Sequence, residues 1–142
     1  PVYTGRGAST RELVGQVNGF AKADPNTYTD LIANLTTVAT EARTTASVQE
    51  FLGLCTRYAE GLGELGKASG ADIVSEPHRT LARVAEAEGL VYKSSGAGGG
   101  DIGLVLGDDA NRLEKVRKKL KEVGGEPLDL DLGAPGVIFS LG

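Results

Sequence analysis

The residues best suited to chemistry run from Lys93 to Asp101, in the order Lys-Ser-Ser-Gly-Ala-Gly-Gly-Gly-Asp. Four glycines in five positions, Gly96, Gly98, Gly99 and Gly100, are costly to order, because glycine loses more backbone freedom on folding than any other residue. A backbone stripped of side chains lets a ligand approach the main chain closely, and successive N–H groups can then converge on one anion. Lys93, Ser94 and Ser95 would add a cation and two hydroxyls at the loop's entrance. The competing reading is a flexible hairpin connection, for which one or two glycines normally suffice. The spacing is not that of a Walker loop, which ends in Gly-Lys-Ser/Thr. Nor is it a Rossmann fingerprint, since the run comes late in the chain and leads into an apolar strand instead of opening a helix.

The elements that must position this loop follow from the hydrophobic period. Gly89-Leu90-Val91-Tyr92 before it and Ile102-Gly103-Leu104-Val105-Leu106 after it read as two strands. Upstream, Val2-Tyr3-Thr4 is a short β-prone run that ends in the turn Gly5-Arg6-Gly7. Ser9 with Glu12, Asp24 with Pro25, and Ser47 with Glu50 then mark three helix starts by their capping chemistry. Their apolar faces include Leu13, Val14, Val17 and Phe20, then Leu31, Leu35 and Val38, then Val48, Phe51, Leu52, Cys55 and Leu65. Glu76-Pro77 opens a shorter helix, in whose first turn His78 reads as an exposed, structurally incidental residue.

Beyond the loop, Gly107-Asp108-Asp109 caps a helix facing inward through Leu113, Val116, Leu120 and Val123. The basic run Arg117 to Lys121 at its end suits the helix dipole and reads as a solvated face. Leu128, Leu130 and Leu132 alternate with aspartates as in a half-wet strand, and Val137-Ile138-Phe139 predicts a terminal one. Helices and strands segregated in this way predict an α+β fold, a two-layer domain with an antiparallel sheet packed under helices.

Composition narrows the function. The 142 residues suit a single domain, and a formal net charge of −4 argues against a general nucleic-acid binder, which needs a basic face. No apolar run reaches transmembrane length, so no membrane partner is expected. The lone Cys55 cannot form an internal disulfide and sits among apolar positions, which predicts a core thiol in a reducing, cytoplasmic setting.

Lys93 to Asp101 followed by Ile102 to Leu106 resembles the third conserved motif of the GHMP kinases, and most nearly that of their phosphomevalonate kinase branch. Asp101 favours that branch over the mevalonate kinases. Tyr3-Thr4-Gly5-Arg6-Gly7-Ala8-Ser9-Thr10 is similar to the branch's Trp-Thr-Gly-x-x-Ala-Ser-Thr/Ser segment, and Leu62 to Val74 to the segment ahead of the third motif. Ser94 and Ile102 depart from the proline and cysteine common there, and Arg6 is an unusual cation for that turn. The resemblance implies a ferredoxin-like C-terminal domain spanning 1–142, with the ATP-binding N-terminal domain as its partner. It also implies transfer of the ATP γ-phosphoryl group to 5-phosphomevalonate, with Mg²⁺ and ATP held mainly by that other domain. Substrate contacts would come from Ser9, Thr10, Lys93, Ser95, Gly96, Ala97, Gly98, Gly99, Gly100 and Asp101, with no catalytic or metal-ligating residue on this chain. The alternatives are a non-catalytic module that binds a phosphorylated metabolite or a protein, and another GHMP kinase such as mevalonate kinase.

Overall fold

The computed structural model describes residues 1–130 and 133–134. Its order is β1 (Val2–Tyr3), α1 (Thr10–Ala23), α2 (Pro25–Thr44), α3 (Val48–Ser69), α4 (Glu76–Glu86), β2 (Val91–Ser94), β3 (Ile102–Leu106), α5 (Ala110–Glu122) and β4 (Glu126–Pro127). The strands form one sheet in the order β2-β3-β1-β4, and every neighbouring pair is antiparallel. The expected α+β architecture is therefore present, with the strand order of a ferredoxin-like fold in which a helical layer fills the first crossover.

The helix starts form as the capping residues predict. The amides of Glu12, Thr27 and Glu50 donate to the side chains of Ser9, Asp24 and Ser47, each worth about 1 kcal/mol. Two cores result. Val2, Leu81, Ala85, Leu90, Tyr92, Val116 and Leu120 are buried where α4 and α5 cover the sheet. Leu13, Leu35, Leu65, Ala71 and Ile73 join the helical layer, and Ala97 of the glycine loop packs against them. Cys55 is a buried thiol, as expected.

Several boundaries and faces differ from expectation. Val14, Val48, Phe51 and Val123 are exposed: each lies at the margin of its apolar stripe or in a terminal turn of its helix. The last described strand is Glu126–Pro127, not the leucine alternation from Leu128. The chain turns at Gly124, whose φ is a left-handed 88°, and Gly125 then passes close against Leu81 and the Val2 side chain, beside the pairing of Tyr3 with Glu126. Leu132 and the expected strand Val137-Ile138-Phe139 lie outside the described residues.

Glu88, in the turn between α4 and β2, ties that turn to α5. Its side chain is 9% exposed and meets Lys115 Nζ at 2.8 Å as well as Lys119 Nζ. The hydrogen bonds from Lys115 and Lys119 hold its carboxyl down at about 2. A carboxyl whose folded value lies below its unfolded one stabilises the fold above the unfolded value, near 4.5, and loses that contribution as pH falls toward 2. Glu88→Gln is thus expected to lower the urea midpoint at pH 7 and to flatten its decline between pH 4.5 and 2. Parallel acid limbs in the two proteins would contradict this.

Candidate functional site

The glycine loop is fastened to its surroundings by backbone hydrogen bonds. Ser95 N–H donates to the Ile102 carbonyl (2.8 Å), Gly99 N–H to Ile73 (2.7 Å) and Asp101 N–H to Arg6 (2.6 Å). The Asp101 carbonyl in turn accepts from Thr4 N–H at 2.8 Å. The run thus lies between the Arg6–Gly7 turn and the segment ahead of α4. A Cβ on Gly98 would overlap the Ile73 carbonyl, one on Gly100 would overlap the Arg6 carbonyl, and one on Gly99 would press on Leu13 and Ala8. Glycines 98 to 100 are accordingly required by close packing of protein on protein. Gly96 alone faces open space, at the exposed tip. The amides of Gly96, Ala97, Gly98 and Gly100 donate to no acceptor among the described residues.

One cleft borders this arrangement. A cavity of about 730 Å³ is lined by Arg6, Gly7, Ala8, Ser9, Glu12, Leu13, Gly15, Gln16, Gly70, Asp72 and Gly99. It brings Ser9, the N-cap of α1, together with Gly99 of the loop, so the positive end of a helix dipole and the glycine backbone meet on one concavity. Thr10 is exposed in the first turn of α1, and Asp101 is exposed beside Gly7 with a left-handed φ of 56°. Ser95 is half-buried next to the ladder, and Arg6 lines the cleft as its cation.

Two residues expected at the loop's entrance face elsewhere. In β2 successive side chains point to opposite sides, so Ser94 is buried on one side and Lys93 projects on the other. The Ser94 hydroxyl is buried without a hydrogen-bond partner among the described residues. Lys93 Nζ donates to the Ser94 carbonyl at 2.8 Å and lies 5.8 Å from the centre of the Tyr58 ring. It lines an apolar pocket with Cys55, Leu104 and Leu106, and burial pulls its ammonium below the usual lysine value. Lys93 is therefore not brought into the cleft with Ser9 and Gly99.

The residue that sequence reasoning missed is His78. It is fully buried, not exposed, and both ring nitrogens are engaged. Nδ1 lies 2.7 Å from the Tyr92 hydroxyl and Nε2 lies 2.9 Å from the Gly100 carbonyl. A carbonyl can only accept, so Nε2 carries the proton and Nδ1 accepts from Tyr92 O–H. Burial pushes the imidazole below its ordinary value, opposed by the hydrogen bond to Gly100 and the charges of Asp72 and Asp101. It likewise pushes the Tyr92 phenol up. The helical period held a hint: His78 stands three residues before the core residue Leu81 and seven before Ala85, on the buried face of α4.

Fold and site together define a class. The family model for the C-terminal domain of GHMP kinases matches residues 46–126, more than half of the chain, and the chain belongs to that family. Among curated proteins it is similar to the phosphomevalonate kinase of Streptomyces sp. (strain CL190), with 31% identity over 144 residues. That alignment covers 95% of this chain and 37% of the relative. Among solved structures it is similar to the Lin0012 protein from Listeria innocua, with a TM-score of 0.83 and 27% identity over 90% of this chain and 37% of that one. The chain thus spans little more than a third of the length of either relative.

Proposed function

We propose that this chain is the C-terminal, acceptor-binding portion of a phosphomevalonate kinase, which transfers the γ-phosphoryl group of ATP to 5-phosphomevalonate. The observation that carries the reading is the meeting of Ser9, at the start of α1, with Gly99 of the glycine loop in one cleft beside Arg6. A helix N-terminus and a guanidinium both favour an anion, and phosphoryl transfer depends mainly on positioning and charge neutralisation. The similarity to the Streptomyces phosphomevalonate kinase supports the same acceptor.

In this reading Ser9, Thr10, Ser95 and the loop from Gly96 to Asp101 shape the acceptor side. The ATP-binding domain, which holds Mg²⁺ and ATP, is the partner across the cleft, and the reaction takes place in the cytoplasm. Among the described residues no three carboxylate, histidine or cysteine side chains converge as a metal-ligand set. No helix among them is long and apolar enough to cross a membrane.

The test is a titration of 5-phosphomevalonate into the chain, followed by backbone amide NMR. The expected result is saturable shifts at Ser9, Gly99 and Gly100, a weaker response to mevalonate, and no ATP-dependent phosphorylation until the ATP-binding domain is supplied. Equal responses to mevalonate and 5-phosphomevalonate would move the reading to another GHMP kinase. Shifts confined to residues away from the cleft would overturn the site.

A further inference from the structure

We propose that His78 is a positioning residue for the glycine loop, which by fixing the Gly100 carbonyl holds the Gly100–Asp101 peptide, and with it the end of the loop beside the cleft, in its binding conformation. The inference rests on the reading of the loop as an acceptor site, and it concerns a residue buried beneath that loop.

The argument is one of peptide planes. The plane joining Gly100 to Asp101 is held at both ends: its carbonyl accepts from His78 Nε2–H at 2.9 Å and its N–H donates to the Arg6 carbonyl at 2.6 Å. The plane joining Gly98 to Gly99 is held through Gly99 N–H on the Ile73 carbonyl. Between them lies the Gly99–Gly100 plane, whose N–H donates to no acceptor among the described residues. With no Cβ to restrict φ and ψ, the run depends on these hydrogen bonds and on its close packing to hold its conformation.

His78 is itself held. Tyr92 O–H fills Nδ1, which leaves Nε2 as the donor, and the rings of His78 and Tyr92 stand 5.9 Å apart in a tilted arrangement. Tyr92 reaches this position because Gly103, on the neighbouring strand, has no side chain to occupy the space of its hydroxyl. A chain of contacts therefore runs from the middle of the sheet to the ligand-facing backbone. It delivers a directed, preorganised hydrogen-bond donor, which is where binding sites gain most from their supporting residues.

The groups facing the ring are Tyr92 from β2, and Asp72 and Asp101 from the segments flanking α4 and β3. Protonation would place a hydrogen on Nδ1 and turn the Tyr92 hydroxyl from donor to acceptor, while Nε2 would still donate to the Gly100 carbonyl.

The experiment compares His78→Phe, which keeps a ring but neither nitrogen, with His78→Gln, whose side-chain amide can both donate to Gly100 and accept from Tyr92. The readouts are affinity for 5-phosphomevalonate and hydrogen exchange at the Asp101 amide. Phe is expected to weaken binding at least tenfold and to speed Asp101 exchange at least tenfold, with Gln restoring both to within about threefold of the parent chain. Unchanged affinity with Phe, or equal losses with Phe and Gln, would overturn the proposal. If the parent chain binds no 5-phosphomevalonate, the acceptor reading fails separately, and exchange at Asp101 still decides the role of His78. Exchange sped by Phe and restored by Gln supports it, and exchange unchanged by Phe overturns it.

Discussion

Gly98→Ala is expected to destabilise the fold by about 4 kcal/mol, and Gly96→Ala, two residues away, by only about 1 kcal/mol. Both glycines have left-handed backbone, with φ of 81° and 76°, so any side chain costs about 1 kcal/mol or slightly more at either position. Their surroundings separate them. At Gly96 the added methyl meets open space, whereas at Gly98 it would sit inside the contact distance of the Ile73 carbonyl and of the Ile73 side chain. Backbone does not rotate away as a side-chain tip would. Relief requires moving Ile73, which is buried in the helical core, or breaking the bond from Gly99 N–H to its carbonyl. The lost hydrogen bond and the disturbed packing add about 1 and 1–3 kcal/mol. Urea denaturation of the two variants gives the comparison directly. Similar midpoints would mean that the loop is not fixed to Ile73.

Gly103→Ala should be nearly as damaging, by about 3 kcal/mol, although it changes a strand residue that does not line the cleft. A Cβ there would overlap the hydroxyl and ring of Tyr92, which pairs its strand with β3 and belongs to the sheet core. The ring must tilt out, and the Tyr92 hydroxyl then leaves His78 Nδ1 without its partner in a buried setting, which costs about 1–3 kcal/mol beyond the strain of overpacking. Thermal or urea unfolding measures the stability. Imidazole ¹⁵N shifts of His78 report the freed Nδ1. A Gly103→Ala variant as stable as the parent chain, with an unperturbed His78, would show that the Tyr92–His78 contact does not depend on the missing side chain.

Much of the fold was legible because it rests on local chemistry. Ser9, Asp24 and Ser47 satisfy free amides within three residues, so the starts of three helices can be read without knowing what the helices pack against. The two strands around the glycine run follow from their apolar period and their shared register, Lys93 opposite Leu104. The glycines were correctly singled out as needing a special environment. What they approach was not legible, because Ile73 and Arg6 lie far from the loop in sequence and are brought against it only by the fold. His78 failed for the same reason. Pro77 beside it marks a helix start, which suggests exposure, whereas its partners Tyr92 and Gly100 come from two later elements. Lys93 was misplaced by proximity in sequence, where the alternation of β2 sends it away from the loop it adjoins. The leucine alternation after Pro127 has the period of a strand, but pairing with β1 is set by the turn at Gly124 and falls on Glu126 and Pro127.

β1 is two residues long and sits inside the sheet, paired with Gly103 and Ile102 on one side and with Pro127 and Glu126 on the other. Both of its neighbours lie far along the chain and are made after it. The helices from α1 to α3 can collapse on one another as they emerge, since their contacts are close in sequence, but Val2 must wait with both edges bare until β3 and β4 follow. Closing so long a loop is entropically costly, and non-local pairing of this kind sets a slow step. During that interval the nascent chain carries an unpaired apolar strand, so this sheet is most vulnerable before β4 leaves the exit tunnel.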